Sequence, residues 1–317
     1  MMGAMQNLYP LESQYRERVW GGQRLKPHDP PIGEAWIAYG ESRVAAGAQA
    51  GRSLNDLLGP ELLGEAVWAR TGKRFPLLIK LLDCADWLSV QVHPNDEQAR
   101  KMVGEGHYGK TEAWHFLAAQ PGATILVGVK PEVDAAQLAA AIRAGRVLDV
   151  AESLPVRAGD SISIPAGTLH ALGPGLLLYE VQQESDTTYR VYDWDRPASA
   201  GRALHIEESV AVTRADLSGQ LKHLPDLATG EAELVRSPYF VLDVLELGKQ
   251  AGDTAGQGFH LLTSIQGEAQ VRAGDEVVRL GQYETLLVAG ATGGYEVRAL
   301  GERARMLRAR VPLEAEG

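Results

Sequence analysis

The sequence predicts a mostly β fold with helices inserted in its N-terminal half, and three observations carry that prediction. From Pro155 onward, short apolar or aromatic runs alternate with Gly- and Pro-containing turns, the grammar of a β-meander or barrel. Helical periodicity with capping signals is concentrated in the stretches 53–70, 95–104 and 131–148. At roughly 150 residues per domain, 317 residues make about two domains, enough to bury a core without disulfides.

Taken in order, residues 1–50 mix Gly and Pro with strand-like runs such as EAWIAYG. In 53–70, Ser53 is a capping residue, Asp56 lies in the first turn, and the Gly59-Pro60 pair splits the helix. Two strand-like runs follow, FPLLIKLLD and WLSVQVHP, and then the Asn95 to Gln98 spacing opens a helix that Gly104 and Gly106 end. GKTEAWHFLAA and ATILVGV read as strands, and PEVDAAQLAAAIRAGRV as a helix with Pro131 at its start and Gly145 near its end. Beyond Pro155 come SISIP, a turn at AGT, LHAL, a GPG turn, LLLYEVQQ, ESDT and TYRVYDW, all read as strands and turns. ALHIEESVAV is a short helix, and 221–317 returns to strands with Gly-rich turns.

Composition narrows the function. With 31 Lys and Arg against 41 Asp and Glu, net charge −10, and no basic block, a nucleic-acid partner is not expected. The most apolar stretch, FPLLIKLLDCADWLSV, is broken by Lys80, Asp83 and Asp86, so no membrane span is expected. The N-terminus lacks the apolar core of a secretory signal, and lone Cys84 has no pairing partner, so the expected location is cytoplasmic. P-loop, dinucleotide and nucleophilic-triad motifs are absent.

The chemistry that remains is a ligand set. Side chains alternate across a strand, so Gln91 and His93 share one face, as do Lys110, Glu112 and Trp114. His170 follows the tight turn PAGT, where a strand re-enters its sheet. Imidazole, carboxylate and amide oxygen together suit Zn²⁺, and also Mn²⁺, Co²⁺ or Fe²⁺. Each signal has a plainer reading: Lys110 and Glu112 as an ordinary ion pair, and Arg190 paired with Asp186, Asp193 or Asp195 on a solvated hairpin. His28, His107, His115, His205, His223 and His260 have no partner at ligand spacing and read as structural or exposed, and Cys84 as a small apolar group.

Read in series, WGG, IGEAW, FPLLIKLLD, LSVQVHPND, GKTEAW, PAGTLHAL, YEVQQESDTTYRVYDWDRP and LHIEES resemble the type I mannose-6-phosphate isomerase family in its shorter bacterial form, closely over residues 10–215 and in general character beyond. The resemblance implies tandem cupin (jelly-roll-like) β-barrels: 1–215 as a catalytic domain carrying the helical insertions, and 216–317 as a cupin-like barrel without metal ligands. It also implies one Zn²⁺ per chain on Gln91, His93, Glu112 and His170, a catalytic Arg190, and interconversion of mannose 6-phosphate and fructose 6-phosphate through a cis-enediol. Lys110 is expected to add charge beside the metal or hold substrate. The base is read as Glu180, with Asp193 the alternative, and the phosphate contact as Lys80, Arg196 or Arg202. Two other functions stay open: a different metal-dependent cupin enzyme, against which Gln91 in a ligand slot counts, and a non-catalytic sugar-phosphate-binding homologue.

Overall fold

The computed structural model describes residues 6–197, 202–224, 227–249, 252–255 and 257–313. Their strands form four sheets, and the chain divides into two compact units. One unit comprises Tyr15–Ala35 and Leu81–His223; the other comprises Met1–Gln14, Trp36–Lys80 and Leu224–Gly317. The units interleave along the chain, which differs from a single cut at 215/216. The physical reason is a non-local pairing: strand Leu8–Leu11 runs antiparallel to Thr285–Val288, and the Glu276 carboxylate accepts from the backbone N–H groups of Asn7 and Leu8.

In the Leu81–His223 unit, a five-stranded sheet has the order Tyr189–Tyr192, Val90–Val92, His170–Leu172, Thr124–Val129, Ala151–Pro155. It faces a seven-stranded sheet that includes Asp160–Ile164, Glu112–Ala119 and Leu176–Gln183. Between them lie Trp114, Phe116, Ile125, Val127, Ile162, Leu172 and Leu178, a core supplied by both sheets. The outer face of the five-stranded sheet buries Val90, Val92, Leu169, Ala171, Tyr189 and Val191 against Leu138 and Ile142 of helix Ala135–Arg143 and Val212 of helix Ile206–Val212. Because side chains alternate, the residues interleaved with that outer set are turned into the space between the sheets. They are Gln91, His93, His170 and Arg190.

The other unit repeats the two-layer plan, with a core of Leu245, Leu262, Val271, Leu286, Val297 and Met306 between a six-stranded and a four-stranded sheet. Its inward-facing polar group is of a different kind. Asp243 Oδ2 accepts from Arg308 Nε and Nη2 at 3.0 and 2.8 Å and from Arg310 Nε at 3.0 Å, while His260 Nδ1 lies 2.8 Å from the Tyr295 hydroxyl.

The inserted helices are set by local chemistry. Asn95 and Gln98 form a reciprocal capping box at the start of helix Asp96–Met102. The stretch 131–148 contracts to helix Ala135–Arg143, because Asp134 and Gln137 form a second capping box and leave Pro131 in the preceding turn. The stretch 53–70 becomes a 3₁₀ turn Asn55–Leu57 and the helices Pro60–Leu63 and Glu65–Arg70, divided where Gly59-Pro60 predicts. ESDT, read as a strand, is instead a loop, turned by a main-chain bond from the Ser185 N–H to the Gln183 carbonyl at 2.7 Å. Among the described residues no helix is long and apolar enough to cross a membrane.

Candidate metal centre

Register brings the inward residues into one row. Arg190 stands opposite Gln91, and Gln91 opposite His170, so three neighbouring strands of the five-stranded sheet contribute side by side. The facing sheet contributes Glu112, opposite Gln182, and Glu180, opposite Trp114. The PAGT turn delivers His170 because Gly167 adopts φ +91, which glycine tolerates, and its N–H donates to the His93 carbonyl at 2.9 Å. On the other side, Lys110 N–H donates to the Pro94 carbonyl at 2.9 Å and Gly109 N–H to Asp96 Oδ1 at 2.7 Å. The capped helix therefore fixes the strand ends that carry His93 and Lys110.

His93, Glu112 and His170 are the one His/Cys/Asp/Glu group among the described residues able to hold a metal ion, and all three are buried. Glu112 Oε2 lies 3.4 Å from His93 Nε2, and Oε1 lies 3.2 Å from His170 Nε2. Donors at 2.0–2.1 Å from a tetrahedral ion stand roughly 3.4 Å apart, so both carboxylate–imidazole spacings fit. The tautomers fit as well. His93 Nδ1 donates to the Thr187 carbonyl at 2.9 Å and His170 Nδ1 to the Thr168 carbonyl at 2.9 Å. A carbonyl only accepts, so each ring proton sits on Nδ1 and each Nε2 points a lone pair at the carboxylate, as metal-binding imidazoles do. Neither Glu112 oxygen receives a well-aligned hydrogen bond. Two imidazole lone pairs and a carboxylate facing one another are a donor set suited to a cation.

Gln91 Nε2 lies 3.2 Å from His170 Nε2, and half a turn of the amide presents Oε1 there instead. Lys110 Nζ is 2.7 Å from Glu112 Oε2 and 3.1 Å from His93 Nε2, a positive charge against the same donors. Burial, reinforced by Lys110, pushes His93 down to about 3, and burial likewise lowers His170. Burial would raise Glu112, yet Lys110 and then the two histidines hold its carboxyl well below the usual range. Burial opposes charge on Lys110, but Glu112 and Glu180 hold its ammonium above the usual lysine range.

Glu180 is buried, and its Oε2 accepts from Trp114 Nε1 at 2.9 Å. Trp114 also packs edge-on to His170, with centroids 5.5 Å apart. Arg190 Nε donates to Ser89 Oγ at 3.3 Å, and Ser89 Oγ lies 3.3 Å from Gln91 Oε1. Asp193 instead takes Arg202 at 2.7 Å and Arg196 at 3.0 Å, so the carboxylate considered as a base is engaged by two guanidiniums. Arg196 further donates to Asp86 and to the Trp87 carbonyl, both at 2.7 Å. Lys80 is buried in strand Leu77–Cys84 with Nζ 5.0 Å from the Trp36 ring centroid. His115, on the opposite strand face from Glu112, meets Ser161 Oγ at 2.9 Å, and Cys84 is fully buried. Sequence reasoning missed Ser89, although it extends the alternation Ser89, Gln91, His93, and the carbonyls of Thr168 and Thr187.

The sequence model of the phosphomannose isomerase type I catalytic domain matches residues 8–115. A mannose-6-phosphate isomerase of Streptococcus mutans is 36% identical over 296 residues, covering 88% of this chain and 91% of the relative. The crystal structure of the mannose 6-phosphate isomerase from Bacillus subtilis superposes with a TM-score of 0.79 at 26% identity, over 96% of this chain and 100% of that one. A zinc-bound mannose 6-phosphate isomerase shares the fold, with a TM-score of 0.77 at 18% identity over 96% of this chain and 100% of that one. The similarity to the streptococcal enzyme runs through most of both chains, and on that extent the chain belongs to the type I mannose-6-phosphate isomerase family.

Proposed function

We propose that the chain interconverts mannose 6-phosphate and fructose 6-phosphate through a cis-enediol, with one Zn²⁺ per chain on Gln91, His93, Glu112 and His170. The observation that carries this reading is the pair of neutral imidazoles aiming their Nε2 lone pairs at Glu112. When bound, the ion supplies Lewis-acid polarisation to a substrate oxygen. The other steps belong to side chains. Glu180, its carboxylate held by the Trp114 N–H, takes the proton from one of C1 and C2 and returns it to the other, while the hydroxyl proton passes between O1 and O2. Arg190 stabilises the negative charge that develops on O1 and O2, and Lys110 adds positive charge beside Glu112.

Lys80 and Arg196 are assigned to the phosphate; for Arg196 this means exchanging one of its carboxylate partners. Loss of charge at either is expected to raise KM more than it lowers kcat. The substrate and the single buried thiol fit a cytoplasmic enzyme. A coupled isomerase assay before and after chelation tests the whole reading. Activity that falls with metal content and returns with Zn²⁺ supports it, and full activity in a verified metal-free sample overturns it.

A further inference from the structure

Strand Tyr189–Tyr192 ends the five-stranded sheet: Val90–Val92 covers one side of it, and among the described residues no strand covers the other. A catalytic side chain on an edge strand needs something to hold its backbone, since an unpaired edge is poorly constrained. Here the segment Arg202–His205 does so. His205 donates its backbone N–H to the Arg190 carbonyl at 2.8 Å, and its ring Nδ1 accepts the Arg190 backbone N–H at 3.2 Å. One residue thereby satisfies both main-chain groups of Arg190. The Ala203 carbonyl also accepts from Arg190 Nη1 at 3.0 Å.

The segment is itself braced at both ends. Arg202 reaches Asp193 with Nε at 2.7 Å and Nη2 at 3.1 Å. The His205 carbonyl accepts from Ser209 N–H at 2.9 Å in helix Ile206–Val212, whose Val212 is anchored in the apolar cluster on the outer sheet face. The His205 ring also lies 6.0 Å from the Tyr189 ring. This is more construction than a solvated hairpin requires, and its convergence point is the backbone of Arg190.

We propose that His205 is a positioning residue for Arg190: its ring Nδ1 completes the edge of the strand and fixes where the guanidinium stands beside Ser89 and Gln91. The proposal rests on the reading of Arg190 as the stabiliser of enediolate charge. Nδ1 is three bonds from Cα, as is the Oδ1 of asparagine, whereas a glutamine carbonyl oxygen is one bond further out. His205→Asn therefore keeps an acceptor in the right place, while His205→Ala and His205→Gln do not.

The test is steady-state kinetics and metal analysis on these three variants, alone and in an Arg190→Ala background. His205→Ala and His205→Gln are expected to lose kcat by about tenfold or more, with KM changed little and metal content at the wild-type level. His205→Asn is expected to recover most of the loss, and none of the three to reduce kcat further once Arg190 is gone. Wild-type kcat in His205→Ala, or no recovery in His205→Asn, overturns the positioning role, as does an undiminished effect in the Arg190→Ala background. Near-normal kcat in Arg190→Ala alone overturns the underlying reading of Arg190, which keeps the two failures apart. Should His205→Ala fail to fold, the contrast between the asparagine and glutamine variants decides.

Discussion

Two ring nitrogens without protons define the centre of this molecule. Because Thr187 and Thr168 carbonyls fix the tautomers, His93→Ala and His170→Ala are each expected to lose metal occupancy on elemental analysis, whereas His260→Ala is expected to keep it. Arg190→Ala is expected to lower kcat by about 10²-fold with KM and metal content little changed, by analogy with removal of one oxyanion donor. Arg190→Lys keeps the charge but loses the planar fork and is expected to stay impaired in the same kinetics. In the sequence, strand alternation aligns Gln91 with His93 and Lys110 with Glu112, while the set as a whole, with His170 and Arg190, rested on the family resemblance. Their backbone acceptors were not, because a carbonyl has the same sequence signature in every residue. His205 was set aside for a related reason: its partner is a main-chain N–H fifteen residues earlier, outside any ligand spacing.

At the scale of elements, the capped helix Asp96–Met102 does more than fill an insertion. It holds Gly109 so closely that a β-carbon there would stand 2.5 Å from the Asn95 carbonyl carbon and the Asp96 nitrogen. Gly109→Ala is expected to cost about 1–3 kcal/mol of stability by overpacking, read from a denaturant melt, with loss of activity as Lys110 is displaced. Asn95→Ala, which removes only the cap, is expected to cost about 1 kcal/mol. The Asn95–Gln98 capping box and the Gly59-Pro60 break were readable because their signals are local, whereas the Asp134–Gln137 box was passed over in favour of Pro131 as the helix start. The loop at ESDT was misread as a strand because its turn is closed by a main-chain bond, Ser185 N–H to the Gln183 carbonyl, which periodicity does not register.

At the scale of the whole molecule, the second two-layer unit carries a buried-histidine titration of its own, apart from the metal centre. Burial, reinforced by Arg308 and Arg310, lowers His260 to about 3 in the folded chain, so it folds neutral while the unfolded chain binds a proton below about 6.5. Its contribution is complete above that pH and is lost as pH falls through the window from 6.5 to 3. By pH 5 the loss amounts to about 2 kcal/mol, and His260→Gln is expected to flatten the dependence of melting temperature on pH between 7.5 and 5. The interleaving of the units was invisible in the sequence, because nothing in LYPL says that its partner is TLLV near the other end. That pairing has a consequence for biosynthesis. Leu8 is added to the chain about 280 residues before Val288, which at 5–20 residues per second is a wait of roughly 15–55 s. Throughout that interval the nascent chain carries an apolar strand whose partner has yet to be translated. Folding of its unit waits on synthesis of Thr285–Val288, and a message truncated before that segment yields a strand with nowhere to dock.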